Sequence, residues 1–254
     1  MKILDKKLKV LRTGRWFPKL IGLVGDAVYP RVCPGCGKLS DRVERHLCWS
    51  CFNKIELLHT DLCDCCGNQL TGESLNSFIC GCCRKSKPAF DRARSAARFN
   101  GVVRDMLHQF KYQDALWLAE DLVDILHGAL VAQFDYKSID VVVPVPLFRT
   151  RFRERSYNQS FVLARLLAKR IGRRVDGRSL KRVRHTNTQT HYNAVQRKKN
   201  IAGAFRVVRP DWIRGRTVLV VDDVMTTGAT LGECASELKH SGALKVFTIC
   251  AARR

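Results

Sequence analysis

The sequence lacks any apolar run of the roughly 18–20 residues that a membrane-spanning helix requires. The longest apolar stretch near the N-terminus, Leu20–Val24, is too short for the apolar core of a secretory signal. No small-residue cleavage site follows it closely. We therefore expect a cytoplasmic protein in which residues 1–30 form a basic leading segment.

Acidic residues are scarce. The 254 residues include 23 Asp and Glu against 45 Lys and Arg, which gives a formal net charge of +22. Such an excess of cations favours phosphate-rich partners, among them nucleic acids, acidic lipid headgroups and small phosphorylated molecules. The hydrophobic content of 46% is typical of a globular protein, and the length suits one α/β domain with a smaller module.

Cysteine is abundant and concentrated. Of the 12 cysteines, ten lie between Cys33 and Cys83, in two similar units about 30 residues apart. Each unit has a Cys-x-x-Cys-Gly step followed by a second Cys-x-x-Cys step. Glycine after the first pair lets the chain turn with positive φ, so that backbone amides can point at the sulfur atoms. Without a secretory signal, such spacing indicates metal ligands rather than disulfides.

We assign the cysteines by unit. One tetrahedral zinc is expected on Cys33, Cys36, Cys48 and Cys51, and a second on Cys63, Cys66, Cys80 and Cys83. Two such sites would lower the working charge to about +18, because each four-thiolate zinc carries about −2. Cys65 and Cys82 are left over. Interleaved pairing between the units, and redox or disulfide use, stay open as alternatives.

After residue 88 the pattern changes to that of an α/β domain. Strands are predicted near Ala93–Phe99, Ile139–Val143, Val218–Val221 and Val246–Ala251, and helices near Val102–Phe110, Ala115–Val131, Asn158–Ile171 and Gly228–His240. Strands that alternate with helices predict a mostly parallel sheet flanked by helices. The chain thus divides into a zinc module over residues 31–88 and an α/β domain over residues 89–254.

The most informative stretch begins at Val218. Four apolar residues precede Asp222 and Asp223, and the turn Thr226-Thr227-Gly228-Ala229-Thr230 then opens a helix. In an open α/β sheet the ligand crevice lies just outside the strand ends. Helix N-termini present unpaired N–H groups, Gly228 allows close approach of the backbone, and the threonines add hydroxyl donors, so the turn suits a phosphate. The two acids are placed to accept sugar hydroxyls or to offset a developing cation.

This stretch resembles the signature with which type I phosphoribosyltransferases bind phosphoribosyl pyrophosphate (PRPP). The resemblance implies that Asp222 and Asp223 bind the ribose 2- and 3-hydroxyls. It also implies that Thr226, Thr227, Gly228, Ala229 and Thr230 bind the 5-phosphate. Magnesium is implied as well, because it neutralises the pyrophosphate leaving group.

Further motifs resemble the competence protein F (ComF) family. They are the cysteine units, Pro144-Val-Pro146, the run from Arg153 to Gln159, Gln189, and Arg197-x-x-Asn200-x-x-Gly203-Ala-Phe205. The resemblance covers nearly the whole chain. Tyr157 stands where Phe is common in that family. Members are linked to natural transformation, in which imported single-stranded DNA is handled in the cytosol.

A basic region runs from Leu147 to Lys199, with 16 Lys or Arg against Glu154 and Asp176. One interpretation is a pyrophosphate site, because a guanidinium group can donate two parallel hydrogen bonds to a phosphate. The second is a groove for nucleic acid, with Tyr157, Tyr192 and Trp212 available for stacking. The third is a solvated basic surface. The candidates for the first two are Arg149, Arg151, Arg153, Arg155, Tyr157, Asn158 and Arg197.

Residues 178–200 fit the hood that closes over PRPP in such enzymes and excludes water from the ribosyl centre. Gln189, Arg197 and Asn200 are the candidates within it, whereas His185 and His191 are more typical of solvent-facing residues.

The sequence therefore predicts a ComF-like protein of DNA uptake with a PRPP-binding domain, structural zinc, and magnesium bound with PRPP. The expected partners are PRPP, single-stranded DNA and other competence proteins. Two alternatives stay open. The fold could act without catalysis, as a nucleic-acid-binding PRPP sensor or scaffold, or the protein could be a nucleobase-salvage phosphoribosyltransferase. No residue in the sequence identifies the acceptor substrate or a general base, so the sequence does not decide whether the protein turns over PRPP.

Overall fold

A computed structural model describes residues 30–70, 78–186 and 194–254. The main sheet has five parallel strands in the order β1-β7-β6-β2-β3. Its strands are β1 (Arg92–Arg98), β2 (Val141–Pro144), β3 (Arg174–Val175), β6 (Thr217–Met225) and β7 (Lys245–Arg253). The predicted mostly parallel sheet is confirmed, and the apolar runs form its buried central strands because both faces are covered.

Helices cover the sheet, as predicted. They are α1 (Trp49–Phe52), α2 (Gly81–Lys85), α3 (Gly101–Tyr112), α4 (Ala119–Gln133), α5 (Arg149–Arg155), α6 (Gln159–Arg170), α7 (Ala194–Ile201) and α8 (Ala229–His240). Short 3-10 turns lie at Leu116–Leu118, Tyr136–Ser138 and Pro210–Trp212. Helix α6 begins after Asn158, whose side chain accepts a hydrogen bond from the backbone N–H of Phe161.

The two faces of the sheet carry separate cores, and each contains one cysteine unit. On the first face α3, α4 and α6 pack with Cys33, Cys48 and Cys51. On the second face α8 packs with Cys63, Cys66 and Cys83. The two cysteine units of the zinc module therefore pack against opposite faces of the sheet.

The strand order places a crevice between β2 and β6. From β2 the chain crosses through α6 to β3 at one edge, whereas from β6 it crosses through α8 to β7 in the other direction. Ligands of open α/β sheets bind at such switch points. Strand β6 also continues past the predicted end at Val221, because its pairing with β7 reaches Met225. Asp222 and Asp223 thus lie within the strand, beyond the end of β2, whose pairing stops at Pro144 opposite Val221.

Two features of the basic region had no periodic signal in the sequence. Residues 149–155 form α5, so Arg149 and Arg153 share one side of a helix and Arg151 and Arg155 another. Within residues 178–207, β4 (Leu180–Arg182) pairs antiparallel with β5 (Phe205–Val207), and α7 lies between them in sequence. The predictions for residues 1–29, Gln189, His191 and Tyr192 lie outside the described residues.

In the described ranges, no helix combines the length and the apolar character that crossing a membrane would require.

Candidate functional site

The cysteines of each unit converge on one point. The four ligand atoms of Cys33, Cys36, Cys48 and Cys51 lie within 4.8 Å of one another, as do those of Cys63, Cys66, Cys80 and Cys83. The Sγ atoms of Cys36 and Cys48 are 3.8 Å apart, and those of Cys66 and Cys80 are 3.7 Å apart. A tetrahedron of Zn–S bonds of about 2.3 Å has edges of about 3.8 Å, so both donor sets fit zinc. The clusters form within units, which excludes interleaved pairing.

Backbone amides support one thiolate in each cluster. Burial alone would raise the pKa of Cys33, but hydrogen bonds from backbone N–H groups, including that of Cys48, lower this pKa to about 7. Burial would likewise raise the pKa of Cys63, but hydrogen bonds from backbone N–H groups lower it to about 7. One of these donors is the backbone N–H of Cys80, whose nitrogen lies 3.3 Å from Sγ of Cys63. Zinc binds cysteine as thiolate, so these donors favour the metal-bound form.

The first cysteine unit is fixed to α4 by ion pairs. Arg42 contacts Asp121 at 3.3 Å and Asp124 at 2.9 Å, and Arg45 contacts Asp124 at 2.7 Å. The backbone N–H groups of His46 and Leu47 also donate to the carboxylate of Asp121. The Asp121 side chain is fully buried, and these donors replace the water that it has lost.

The second cysteine unit is fixed to β1 and β7 through its backbone. The carbonyl of Cys65 accepts a hydrogen bond from the backbone N–H of Ala93 at 2.7 Å. The buried guanidinium of Arg94 donates to the carbonyl of Cys63 at 3.1 Å, and Arg253 donates to the carbonyl of Cys66 at 2.8 Å. This unit therefore contacts the edge strand β1 near its start and the last residue of β7.

The two acids of β6 have different partners. Ser160, in the first turn of α6, donates through Oγ to Oδ1 of Asp222 at 2.8 Å. Asp223 forms a 3.0 Å ion pair with Lys111 of α3. Neither Ser160 nor Lys111 has a sequence signal, because both contacts arise only in the folded chain.

Asp222 has an unusual electrostatic environment. Burial of its carboxyl group, together with the charge of Asp223, raises its pKa to about 7, although the hydrogen bond from Ser160 and the charge of Lys111 oppose the shift. This carboxyl group can therefore exchange a proton near neutral pH, and a cation or a hydroxyl donor in the crevice would favour its ionised form.

The turn after β6 is built around Gly228. Its φ is 78°, and a Cβ atom placed there would lie 2.6 Å from Cε of Met225, so an L-residue would meet both strain and a clash. The 12-residue helix α8 follows directly, and its first N–H groups face the turn that holds Thr226 and Thr227. Thr230 lies in the first turn of α8. These are the features that a phosphate site at a helix N-terminus requires.

The arginines proposed from the basic region to bind pyrophosphate or nucleic acid have different positions and partners. Arg149 is exposed at the start of α5, Arg153 is also exposed, and Arg151 pairs with Glu154 at 2.9 Å. Arg155 lies over the ring of Tyr112 at 5.1 Å and donates to Gln159. Arg197 lies on α7.

Other candidates of this region hold the fold together. Tyr157 donates its hydroxyl to the carbonyl of Phe110. Asn158 caps α6 and donates to the carbonyl of Val145 at 3.0 Å. His185 packs edge-on against Phe148 at 5.4 Å, and the carbonyl of Asn200 accepts from Arg184 at 2.8 Å.

A cavity of about 990 Å³ opens next to Pro144, the last residue of β2. It lies between the loop after β2, the helices α5 and α6, and β4. Arg182 of β4 is one of its lining residues and stacks on Phe205 at 5.5 Å. Burial lowers the pKa of the Arg182 guanidinium, and the nearby carboxyl of Asp222 opposes this shift. Sequence reasoning did not single out Arg182 among the sixteen cations of its region.

Two protein families match the chain. The family described as "Double zinc ribbon domain" matches residues 24–84, and "Phosphoribosyl transferase domain" matches residues 157–254. The first match agrees with the cysteine geometry, and structural zinc is therefore part of this protein. The second match includes β6, its two acids and the turn at Gly228.

Curated relatives that cover most of the chain are named for DNA utilization and for competence. "DNA utilization protein YhgH" of Salmonella typhimurium is 32% identical over 221 residues, which is 82% of this chain and 96% of the relative. "Competence protein F" of Haemophilus influenzae is 29% identical over 209 residues, or 77% and 91% of the two chains. A glutamine PRPP amidotransferase structure from B. subtilis is 19% identical with a TM-score of 0.36, over 52% of this chain and 26% of that one.

Proposed function

Since the chain belongs to the ComF family of the phosphoribosyltransferase superfamily, we propose that it binds PRPP in the crevice between β2 and β6 and acts in the utilization of DNA. One observation carries the PRPP assignment. Two adjacent carboxylates in β6 precede a turn in which only glycine fits, and this turn opens α8 at the switch point of the sheet. The arrangement pairs acceptors for a sugar with donors for a phosphate.

The roles follow from this geometry. Asp222 and Asp223 bind the ribose hydroxyls, and Thr226–Thr230 with the first N–H groups of α8 bind the 5-phosphate. Lys111 forms a 3.0 Å ion pair with the carboxylate of Asp223 and so fixes the position of that carboxylate. Magnesium, bound with PRPP, would neutralise the pyrophosphate when the bond to the anomeric carbon breaks. Arg149, exposed at the start of α5, is our candidate to receive the pyrophosphate.

The bond between the anomeric carbon and pyrophosphate breaks, a bond to the acceptor nucleophile forms, and the acceptor loses one proton. Positive charge that develops on the ribose lies near two carboxylates, which stabilise it. The ionised form of Asp222 serves this role.

The protein is proposed to contain a zinc module over residues 31–88 and a phosphoribosyltransferase-like domain over residues 89–254. The zinc module supports the fold, because its cysteines lie in both cores of the sheet. Clusters of cysteines that bind a metal instead of forming disulfides are typical of a reducing compartment, which supports a cytoplasmic location.

Pyrophosphate release tests the transfer. The zinc-loaded protein is incubated with PRPP and Mg²⁺, alone and with each candidate acceptor: single-stranded DNA, nucleotides and free nucleobases. Acceptor-dependent release that is lost in Asp222→Ala with Asp223→Ala supports a transferase. Release with one free base only would favour nucleobase salvage. PRPP binding without release under all conditions would favour a sensor that has kept the pocket.

A further inference from the structure

Two cysteines of the second unit are not among its metal ligands. Cys65 and Cys82 fall outside the set of four whose sulfur atoms lie within 4.8 Å of one another. Residues 31–58 of the first unit contain four cysteines, and all four belong to its ligand set. The surplus thiols are therefore confined to the second unit, and the zinc site itself does not explain them.

The two units share one backbone geometry. The N–H of Cys33 donates to the carbonyl five residues further along the chain at 2.7 Å, and the N–H of Cys63 does the same at 2.8 Å. The second Cys-x-x-Cys step of each unit also begins alike, with φ −69° and ψ 159° at Cys48 and φ −67° and ψ 157° at Cys80. Positions in one unit therefore correspond to positions in the other.

The position of Cys65 faces the fourth ligand of its unit. Cys65 corresponds to Gly35 of the first unit, and Cys83 corresponds to Cys51. A Cβ atom at Gly35 would lie 3.0 Å from Sγ of Cys51. In a disulfide, the S–S bond of about 2.05 Å leaves each Cβ atom about 3 Å from the partner sulfur. In the second unit the Cys83 thiol is a hydrogen-bond partner of Cys65, so these two cysteines are placed to form a disulfide.

Cys65 is more accessible than three of the four ligands beside it. Its side chain is partly exposed, whereas Cys63, Cys66 and Cys83 are buried. Its backbone is fixed to the sheet, because its carbonyl accepts a 2.7 Å hydrogen bond from the N–H of Ala93 in β1. A small oxidant can therefore reach the Cys65 thiol while the sulfur of Cys83 stays next to it.

We propose that Cys65 is a redox modification site, at which hydrogen peroxide forms a disulfide between Cys65 and Cys83 and the second unit loses its zinc. The Cys65 thiol first attacks the peroxide, the O–O bond breaks, and a sulfenic acid and one water form. The Cys83 thiolate then attacks the sulfur of Cys65, and the hydroxide that leaves takes a proton from solvent to become a second water. Two electrons thus pass from the two sulfurs to the peroxide. A disulfide sulfur is no longer a thiolate ligand, so three ligands are left for the metal.

Zinc release under peroxide measures this reaction. The zinc-loaded, full-length protein is treated with hydrogen peroxide in the presence of a colorimetric chelator. One of the two zinc equivalents should be released first, and Cys65→Ser should slow that phase by at least about tenfold. Cys82→Ser removes the other surplus thiol, which is exposed, and should leave the rate unchanged. An unchanged rate in Cys65→Ser, or equal slowing in Cys82→Ser, would contradict the proposal.

Mass spectrometry locates the bond in the wild type, where no substitution can disturb folding. The oxidised protein is alkylated under denaturing conditions and digested with an endopeptidase that cleaves after glutamate, so that Glu73 separates Cys65 from Cys83. Fragment spectra should assign a disulfide to these two cysteines, and the first unit should carry four alkylated thiols. Cys36 of the first unit is exposed, so oxidation governed by exposure alone would affect that unit first. A disulfide in the first unit, or one that involves Cys82, would overturn the proposal.

Reduction distinguishes a disulfide from irreversible damage. Dithiothreitol with added zinc should restore two bound equivalents of the metal, because thiol–disulfide exchange regenerates both cysteines. Zinc binding that does not return would show oxidation to sulfinic or sulfonic acid and would contradict a disulfide. PRPP takes no part in these measurements, so this site stands or falls separately from the proposed function.

Discussion

Arg253 donates a hydrogen bond from Nη1 to the carbonyl oxygen of Cys66 at 2.8 Å. The same Nη1 atom lies 3.5 Å from Sδ of Met225, and Met225 packs under Gly228, where a Cβ atom would lie 2.6 Å from Cε. A chain of contacts therefore leads from the second zinc unit to the turn that is proposed to bind the 5-phosphate. We therefore expect the second zinc unit to support the shape of the proposed crevice as well as the module around it.

This relationship predicts the effect of removing Arg253. Arg253→Ala should destabilise the protein by about 1.5–3 kcal/mol, because a partly buried, charge-assisted hydrogen bond is lost. It should also weaken PRPP binding about tenfold, since the turn loses its support through Met225. Calorimetric titration and chemical unfolding measure the two effects. Arg254→Ala, which removes an exposed arginine next to it, is the control, and equal losses in both variants would contradict the prediction.

Gly228 provides a second test. Gly228→Ala should cost about 1–3 kcal/mol, because alanine at a φ of 78° is strained and its Cβ meets Met225. PRPP binding should fall below detection. Gly232→Ala is the matched control in the same helix, since no atom lies within 4 Å of the added Cβ. It should be neutral or stabilising by up to about 1 kcal/mol. A Gly228→Ala protein that binds PRPP normally would refute this account of the turn.

The first zinc unit is predicted to depend on Arg42. Arg42→Ala breaks a buried ion pair with Asp121 and should cost about 3 kcal/mol. One equivalent of zinc should then transfer to a colorimetric chelator faster than the other, because only the first unit loses its attachment to α4. Arg104→Ala removes an exposed pair with Asp105 and should change neither stability nor zinc release. Simultaneous release of both metals would show that the units are not held independently.

The raised pKa of Asp222 predicts a dependence of stability on pH. The folded carboxyl has a pKa of about 7 against an ordinary value of 3.8, so the folded state binds the proton more tightly. Its ionisation therefore costs stability progressively as the pH rises through that interval. The Asp222→Asn side chain does not ionise, so the variant does not lose this stability. Its amide oxygen can still accept the hydrogen bond from Ser160. The melting temperature of this variant relative to wild type should rise between pH 5 and pH 7.5, whereas a constant difference would contradict the shift.

Much of the architecture was predictable because its signals are local. The apolar run at Val218, the glycine turn after it and the periodic face of Asn158–Ile171 depend only on neighbouring residues, and each formed the expected element. The two zinc clusters were equally predictable from the cysteine pairs, because ligand spacing within a unit reflects the size of a zinc site. The sheet order and the opposite placement of the two units required long-range packing that no local pattern contains.

The missed features have two physical causes, a weak local signal and contacts between distant segments. Helix α5 consists largely of arginines and lacks an apolar period, so nothing in residues 149–155 distinguishes it from a loop. Lys111 and Ser160 reach the acids from distant helices. The cavity is assembled from the loop after β2, α5, α6 and β4, and its aromatic lining is visible only when these segments are brought together.

Calorimetric titration with PRPP and Mg²⁺ tests the central claim most directly. The wild type should show saturable binding with one site, and Asp222→Ala with Asp223→Ala should abolish it while the zinc content stays at two equivalents. An absence of binding at millimolar PRPP, or unchanged affinity in the double variant, would contradict the proposed site.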